Sequence, residues 1–222
     1  MRLVFVATLL AACASPPPPA PPAPPLDAEQ VALRLENATG MEGPARILFS
    51  WSMSERDARF QGRGVARIEP PFKARLDLFF GNGETIARAA LVDDDLRLPP
   101  GLPTGILPPA ELLWGALGIF RPGMATVLLG ADRMGDGRVH LRYRRDDGLE
   151  LRYTVRDNRI EEVERVRQGQ TVELVSVEPD PSSRYPDVAT YRNIPAFREL
   201  KLSRDTVEPV EAYPPDLWEI AP

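Results

Sequence analysis

Apolar and polar residues alternate with a period of two through most of this chain. Ile47, Phe49, Trp51 and Met53 are interleaved with Leu48, Ser50 and Ser52, and Phe72, Ala74, Leu76, Leu78 and Phe80 with Lys73, Arg75 and Asp77. The same rhythm returns in Val139, Leu141 and Tyr143, and in Leu149, Leu151, Tyr153 and Val155, each set separated by charged or hydroxyl residues. In an extended chain successive side chains point to opposite faces, so each set reads as a strand with one buried and one wet face. Between the sets stand Gly81-Asn82-Gly83, Gly135-Asp136-Gly137, Asp146-Asp147-Gly148 and Asp157-Asn158, residues that tolerate the positive φ of tight hairpins. Further strands are predicted near residues 58–69, 84–92, 126–132, 159–167, 170–178 and 197–204, giving about ten in meander order. Consecutive hairpins over a whole domain imply a mainly β fold, one strongly curved antiparallel sheet or incomplete β-barrel.

Two segments break the rhythm. Asp27 can cap a short helix to about Asn37 that presents Ala28, Val31, Ala32 and Leu35 on one side. The second, about Pro109 to Phe120, has Ala110, Leu113, Trp114 and Leu117 in one stripe and Leu112 and Ile119 on the other side. A helix apolar nearly all round is buried on more than one side. Helices covering the concave face of the curled sheet satisfy both patterns.

The first 25 residues are of another kind. Leu3 to Ala12 is an apolar run of ten residues behind Arg2, too short to span a bilayer, which takes about 20. It has the layout of a secretory leader. Cys13, the one cysteine of the chain, follows Leu10-Ala11-Ala12, and this quartet resembles the lipobox of bacterial lipoproteins. The resemblance implies that residues 1–12 are a signal peptide, that Cys13 is the lipidation site, and that Ala14-Ser15 directs export to the outer membrane. Eight prolines and two alanines fill Pro16 to Pro25. Proline fixes φ and lacks a donor, so residues 13–25 form an anchor and a stiff stalk reaching up to ~31 Å at ~3.1 Å per residue.

Residues 26–222 form the remaining domain. Hydrophobic residues are 43% and charged residues 27% of the 222-residue chain, ordinary values for a protein with a packed core. The net charge is −5 and basic residues are scattered among acidic ones, which argues against a nucleic-acid surface. His140, the single histidine, sits among arginines on the polar side of its strand, and no nucleophile with a partner can be named, so the chain is read as a non-enzyme without cofactor or metal. Asp93-Asp94-Asp95 reads as a hydrated turn. Gly62-Arg63-Gly64 lacks the strand-to-helix setting of a phosphate loop and reads as a bend in the sheet.

Taken in order, the lipobox, the Phe49-x-Trp51 strand, the strand-turn-strand ARLDLFFGNGETIARAAL, the helix in LPPAELLWGALGIFRPG and the charged hairpins after it resemble the LolA/LolB superfamily, LolB-like lipoproteins most closely. The resemblance runs from about residue 27 to 206. It implies an incomplete barrel whose apolar cavity, closed by helices, accepts the acyl chains of lipid or of another lipoprotein. On this fold the cavity is lined by Phe49, Trp51, Leu76, Leu78, Leu113, Trp114 and Leu117. LolB-like receptors carry an exposed leucine in a Pro-Leu-Gly loop after the third large strand, where this chain has Phe80-Gly81-Asn82-Gly83. That turn lacks the leucine, but Phe79 lies on the polar side of the alternation beside it, and membrane or partner contact is expected of Phe79 and Phe80. The expected partners are membrane lipid or an acylated lipoprotein, with an envelope protein on the charged outer face. The expected setting is the periplasmic side of the outer membrane, as a lipid-anchored monomer. The competing expectation is a scaffold or interaction lipoprotein that fills the same cavity with its own side chains.

Overall fold

The computed structural model describes residues 26–101 and 105–220; the leader, Cys13 and the stalk lie outside the described residues. Helix α1 (Ala28–Thr39) precedes strands β1 (Ala45–Glu55), β2 (Ala58–Glu69), β3 (Lys73–Phe80), β4 (Thr85–Val92) and β5 (Asp95–Arg97). After helix α2 (Ala110–Ala116) come β6 (Thr126–Arg133), β7 (Val139–Arg145), β8 (Glu150–Arg156), β9 (Arg159–Arg167), β10 (Gln170–Glu178), β11 (Val188–Asn193) and β12 (Arg198–Pro209). A 3₁₀ turn, Pro215–Trp218, ends the described chain.

Among the described residues the twelve strands form one antiparallel sheet in the order β5-β4-β3-β2-β1-β12-β11-β10-β9-β8-β7-β6. It is two meanders, β1 to β5 and β6 to β12, sewn together where β1 pairs with β12. The sheet is curled but unclosed, with β5 and β6 as its two edges and the α2 segment running between them. Register shifts at Leu48/Phe49, Leu78/Phe79, Leu128/Gly130, Thr154/Val155 and Thr171/Glu173 add local bends, because an unpaired residue kinks the strand that carries it.

All ten expected strands are present, and two more accompany them. β5 has three residues and β11 six, the latter hidden in sequence behind the proline-rich stretch 179–186. Helix α1 starts at the expected cap, Asp27 Oδ1 accepting from the Gln30 amide at 3.1 Å, and runs on to Thr39. Helix α2 is shorter than expected. Gly118 takes φ +75°, and the amides of Gly118 and Ile119 bond to the carbonyls of Gly115 and Trp114, both at 2.9 Å. A left-handed glycine that satisfies the last carbonyls in this way ends a helix, so Ile119 and Phe120 leave it as extended chain.

The core lies on the concave face, where the inward residues of both meanders meet α1 and α2. α2 packs on β9, β10 and β11, and a Cβ on Gly115 would come within 2.7 Å of Val163, so the glycine sets how closely helix and sheet approach. On the convex face Arg67, Arg75 and Arg88 converge on the buried carboxylate of Asp77, the first two at 2.5 and 3.2 Å. Beside them the C-terminal segment crosses β3 and β4 as a strap. Arg75 donates to the Leu217 carbonyl at 2.7 Å, the Tyr213 hydroxyl to the Ala45 carbonyl at 2.8 Å, and Trp218 is buried beneath its own chain.

Candidate functional site

The site is built on one strand register. Phe49 faces Gly64 and Trp51 faces Gly62 across the β1–β2 ladder. A Cβ on Gly64 would lie 2.2 Å from the Phe49 ring, and one on Gly62 would lie 1.9 Å from the Phe79 carbonyl oxygen and 2.9 Å from the Trp51 ring. The two glycines thus leave room for the aromatic rings of β1 to pack against β2. Trp51 then reaches across β2, its indole N–H donating to the carbonyls of Arg63 at 2.9 Å and Phe79 at 3.2 Å. Two alternating aromatics opposite two alternating glycines were the signal in the sequence, read there only as a bend.

Helix α2, packed on β9, β10 and β11, is also moored by polar ties. At its start Glu111, itself buried, meets Arg145 at 3.3 Å and Arg165 at 3.1 Å. Arg165 pairs in turn with Glu173, which accepts from the Tyr191 hydroxyl and from Asn193 Nδ2 at 3.0 Å. Burial and the bond to Glu173 push the Tyr191 hydroxyl above its usual pKa. In the middle, the Trp114 indole donates to the Asp93 carbonyl at 2.8 Å. After the helix Arg121 bridges Asp93 and Asp94 and stacks on Phe72, and the Phe120 amide donates to the Thr39 hydroxyl of α1 at 3.0 Å. The Asp93 to Asp95 turn is therefore a mooring point for the α2 segment. Sequence reading missed this network because its members are far apart in the chain.

All seven expected lining residues are on the concave side and buried, from Leu78 and Trp114 at 0% exposure to Leu117 at 7%. Phe49, Leu76 and Leu117 come together in one cleft, with Ile47, Ala66, Ala116, Tyr185, Ala189 and Leu202. Its volume is about 30 Å³, room for a water or two. Trp51, Leu78, Leu113 and Trp114 lie away from this cleft, packed in the surrounding core.

Phe79 and Phe80 are half-buried. Phe80 turns inward, its ring 6.1 Å from Trp51 and 6.4 Å from Phe60. The larger exposed apolar groups at these hairpin tips are Phe60, Ile194 and Phe197, the last 76% exposed. His140 is half-buried, and no cluster of three or more metal-ligating side chains occurs among the described residues.

No family model matches this sequence, and none of the curated proteins is similar to it. Solved structures are. A putative outer membrane lipoprotein-sorting protein domain from Vibrio parahaemolyticus superposes with a TM-score of 0.60 at 11% identity, over 86% of this chain and 97% of that one. A LolA superfamily protein from Nitrosomonas europaea gives 0.57 at 11% identity, over 88% and 98%, and a DUF1329 family protein from Desulfovibrio piger 0.56 at 9%, over 86% and 95%. The fold is the LolA/LolB fold. At this level of identity the likeness is one of architecture. In this LolA/LolB fold the curled sheet and the α2 segment enclose the apolar region just described.

Proposed function

We propose that this chain is a non-catalytic, lipid-anchored envelope protein that takes up the acyl chain of a lipid or lipoprotein between α2 and the concave face of the sheet. The observation that carries the reading is the cleft of Phe49, Leu76, Leu117 and Leu202, an apolar opening at the end of a core helix that polar ties also hold. Acyl binding needs no reacting group, since each methylene removed from water contributes about 0.8 kcal/mol before ordering costs. Drug-sized ligands occupy about 300–1,000 Å³, so a cleft of about 30 Å³ must widen, and release of the moorings of α2 is how it does so. The names of two structural neighbours, a lipoprotein-sorting domain and a LolA superfamily protein, support the same reading. Lipidation at Cys13 and an outer-membrane, periplasm-facing position complete it.

The small cleft volume favours a second reading, a scaffold whose interior is filled by its own side chains. Palmitate carrying a tail diazirine separates the two. With the full chain, saturable photolabelling of peptides containing Phe49, Leu76 or Leu117 is expected. Leu117→Glu, which places a carboxylate in the wall of the cleft, should abolish the labelling. If the wild-type chain shows no saturable labelling there, the scaffold reading stands.

A further inference from the structure

The apolar cleft has a polar neighbour. Pro186 lines the cleft, and the same Pro186 lines a second, polar groove of about 310 Å³. Leu117 borders the cleft and its neighbour Gly118 borders the groove. The charged side chains of the groove are Arg159, Arg184 and Glu42, and Ser182 and Ser183 add polar atoms. Glu42 is paired with Arg184. Arg159 is occupied differently: its Nη1 donates to the backbone carbonyls of Asp180 and Ser183, the latter at 2.7 Å, and no carboxylate pairs with it among the described residues. Asp180 and Asp187, the acidic groups of the same loop, are both paired with Arg204. The C-terminal turn of α1 also borders the groove at Ala38 and Thr39, and it contributes about half a negative charge, less than one guanidinium.

We infer that groove and cleft are the head and tail halves of one amphiphile site, and that the head is a phosphate. The inference rests on the acyl-chain reading above and adds the entry point and the chemical class of the head. A guanidinium offers parallel donors that fit two phosphate oxygens, and Arg184 can exchange its contact with Glu42, which is exposed, for a ligand oxygen. A groove of about 310 Å³ is large enough for a glycerophosphate head. The tail passes over Pro186 and enters between Leu117 and Leu202, so the ligand lies with its head at the β10–β11 loop and its end methyl toward Phe49.

Two probes that share glycerol and a diazirine-bearing acyl tail test this on the full chain: lysophosphatidate and the corresponding monoacylglycerol. Both should label peptides containing Leu117, Tyr185 or Leu202. Half-maximal labelling should occur at about tenfold lower concentration for lysophosphatidate, the ratio given by one charge-assisted hydrogen bond of about 1.4 kcal/mol. Arg184→Gln should remove most of that preference, and Arg159→Lys should weaken it. Equal labelling by the two wild-type titrations would overturn the phosphate head and leave the acyl reading in place. Labelling by neither would overturn both. Inorganic phosphate in millimolar excess should compete only weakly with lysophosphatidate. Full displacement by the ion alone would make the groove an ion site and overturn its role as a head subsite.

Discussion

At the scale of single residues, the least expected finding is a buried hydroxyl. Tyr153 is fully buried, edge-to-face with Phe120 at a centroid distance of 4.9 Å, and its phenol oxygen has no hydrogen-bond partner among the described groups. Leaving such a group unsatisfied costs about 1–3 kcal/mol. Tyr153→Phe is therefore expected to leave stability unchanged or raise it by about 1 kcal/mol, read as a higher urea midpoint; a clear loss would show that the hydroxyl has a partner in solution. Burial pushes the Tyr143 hydroxyl up from 10.0 to about 12, and also raises those of Tyr153 and Tyr191. A pKa raised on folding means that the folded state holds its proton longer. The associated stability is complete below about pH 10 and is lost as pH climbs toward 12, so thermal midpoints should fall across that window and less steeply in Tyr153→Phe. A flat profile there would contradict the burial of these phenols. Gly62 sits at the other extreme, with no spare room: Gly62→Ala drives a Cβ into the Phe79 carbonyl and should cost about 1–3 kcal/mol in urea unfolding, where a bend without contact would tolerate alanine.

Among elements, α2 depends most on groups distant in sequence. Glu111→Ala leaves Arg165 with Glu173 alone and frees the first turn of the helix, and a loss of about 1–3 kcal/mol is expected. Hydrogen exchange should localise the effect to amides of α2, whereas uniform exchange would mean that the helix is held by its apolar side alone. The strands were legible beforehand because each buries one face, and period two survives whatever the tertiary context. β5 was not, since three residues carry no period, and β11 was masked because Val188, Ala189 and Tyr191 follow a stretch with the look of a linker. The same alternation put Phe49, Trp51, Leu76 and Leu78 on the buried face of their strands. Which of them meet at the cleft depends on how the β10–β11 loop and α2 pack, and no local pattern encodes that. The polar moorings and the strap under which Trp218 is buried were illegible for the same reason: each joins parts of the chain that no local window sees together.

Across the whole molecule, the strap and the site occupy opposite faces. Trp218→Ala should expose the C-terminal segment to proteolysis near residue 213 without altering acyl labelling, because the tail is tied to β3, β4, Arg97 of β5 and the start of β1, none of which borders the cleft at those contacts. A loss of labelling would tie the two faces together. The seam between the meanders bears on how the chain reaches this state. Ala45 lies opposite Pro209 and Glu55 opposite Arg198, so the first strand and the last share the middle of the sheet. Every other neighbouring pair is close in sequence and can zip as it is made, but this ladder closes a loop spanning most of the domain, the kind of contact that slows folding by raising contact order. During synthesis each meander must wait with a raw edge at the seam until the final strand arrives. A nascent chain stalled before Arg198 is then two half-sheets with no shared centre, whose unpaired strand edges are open to pairing with other chains.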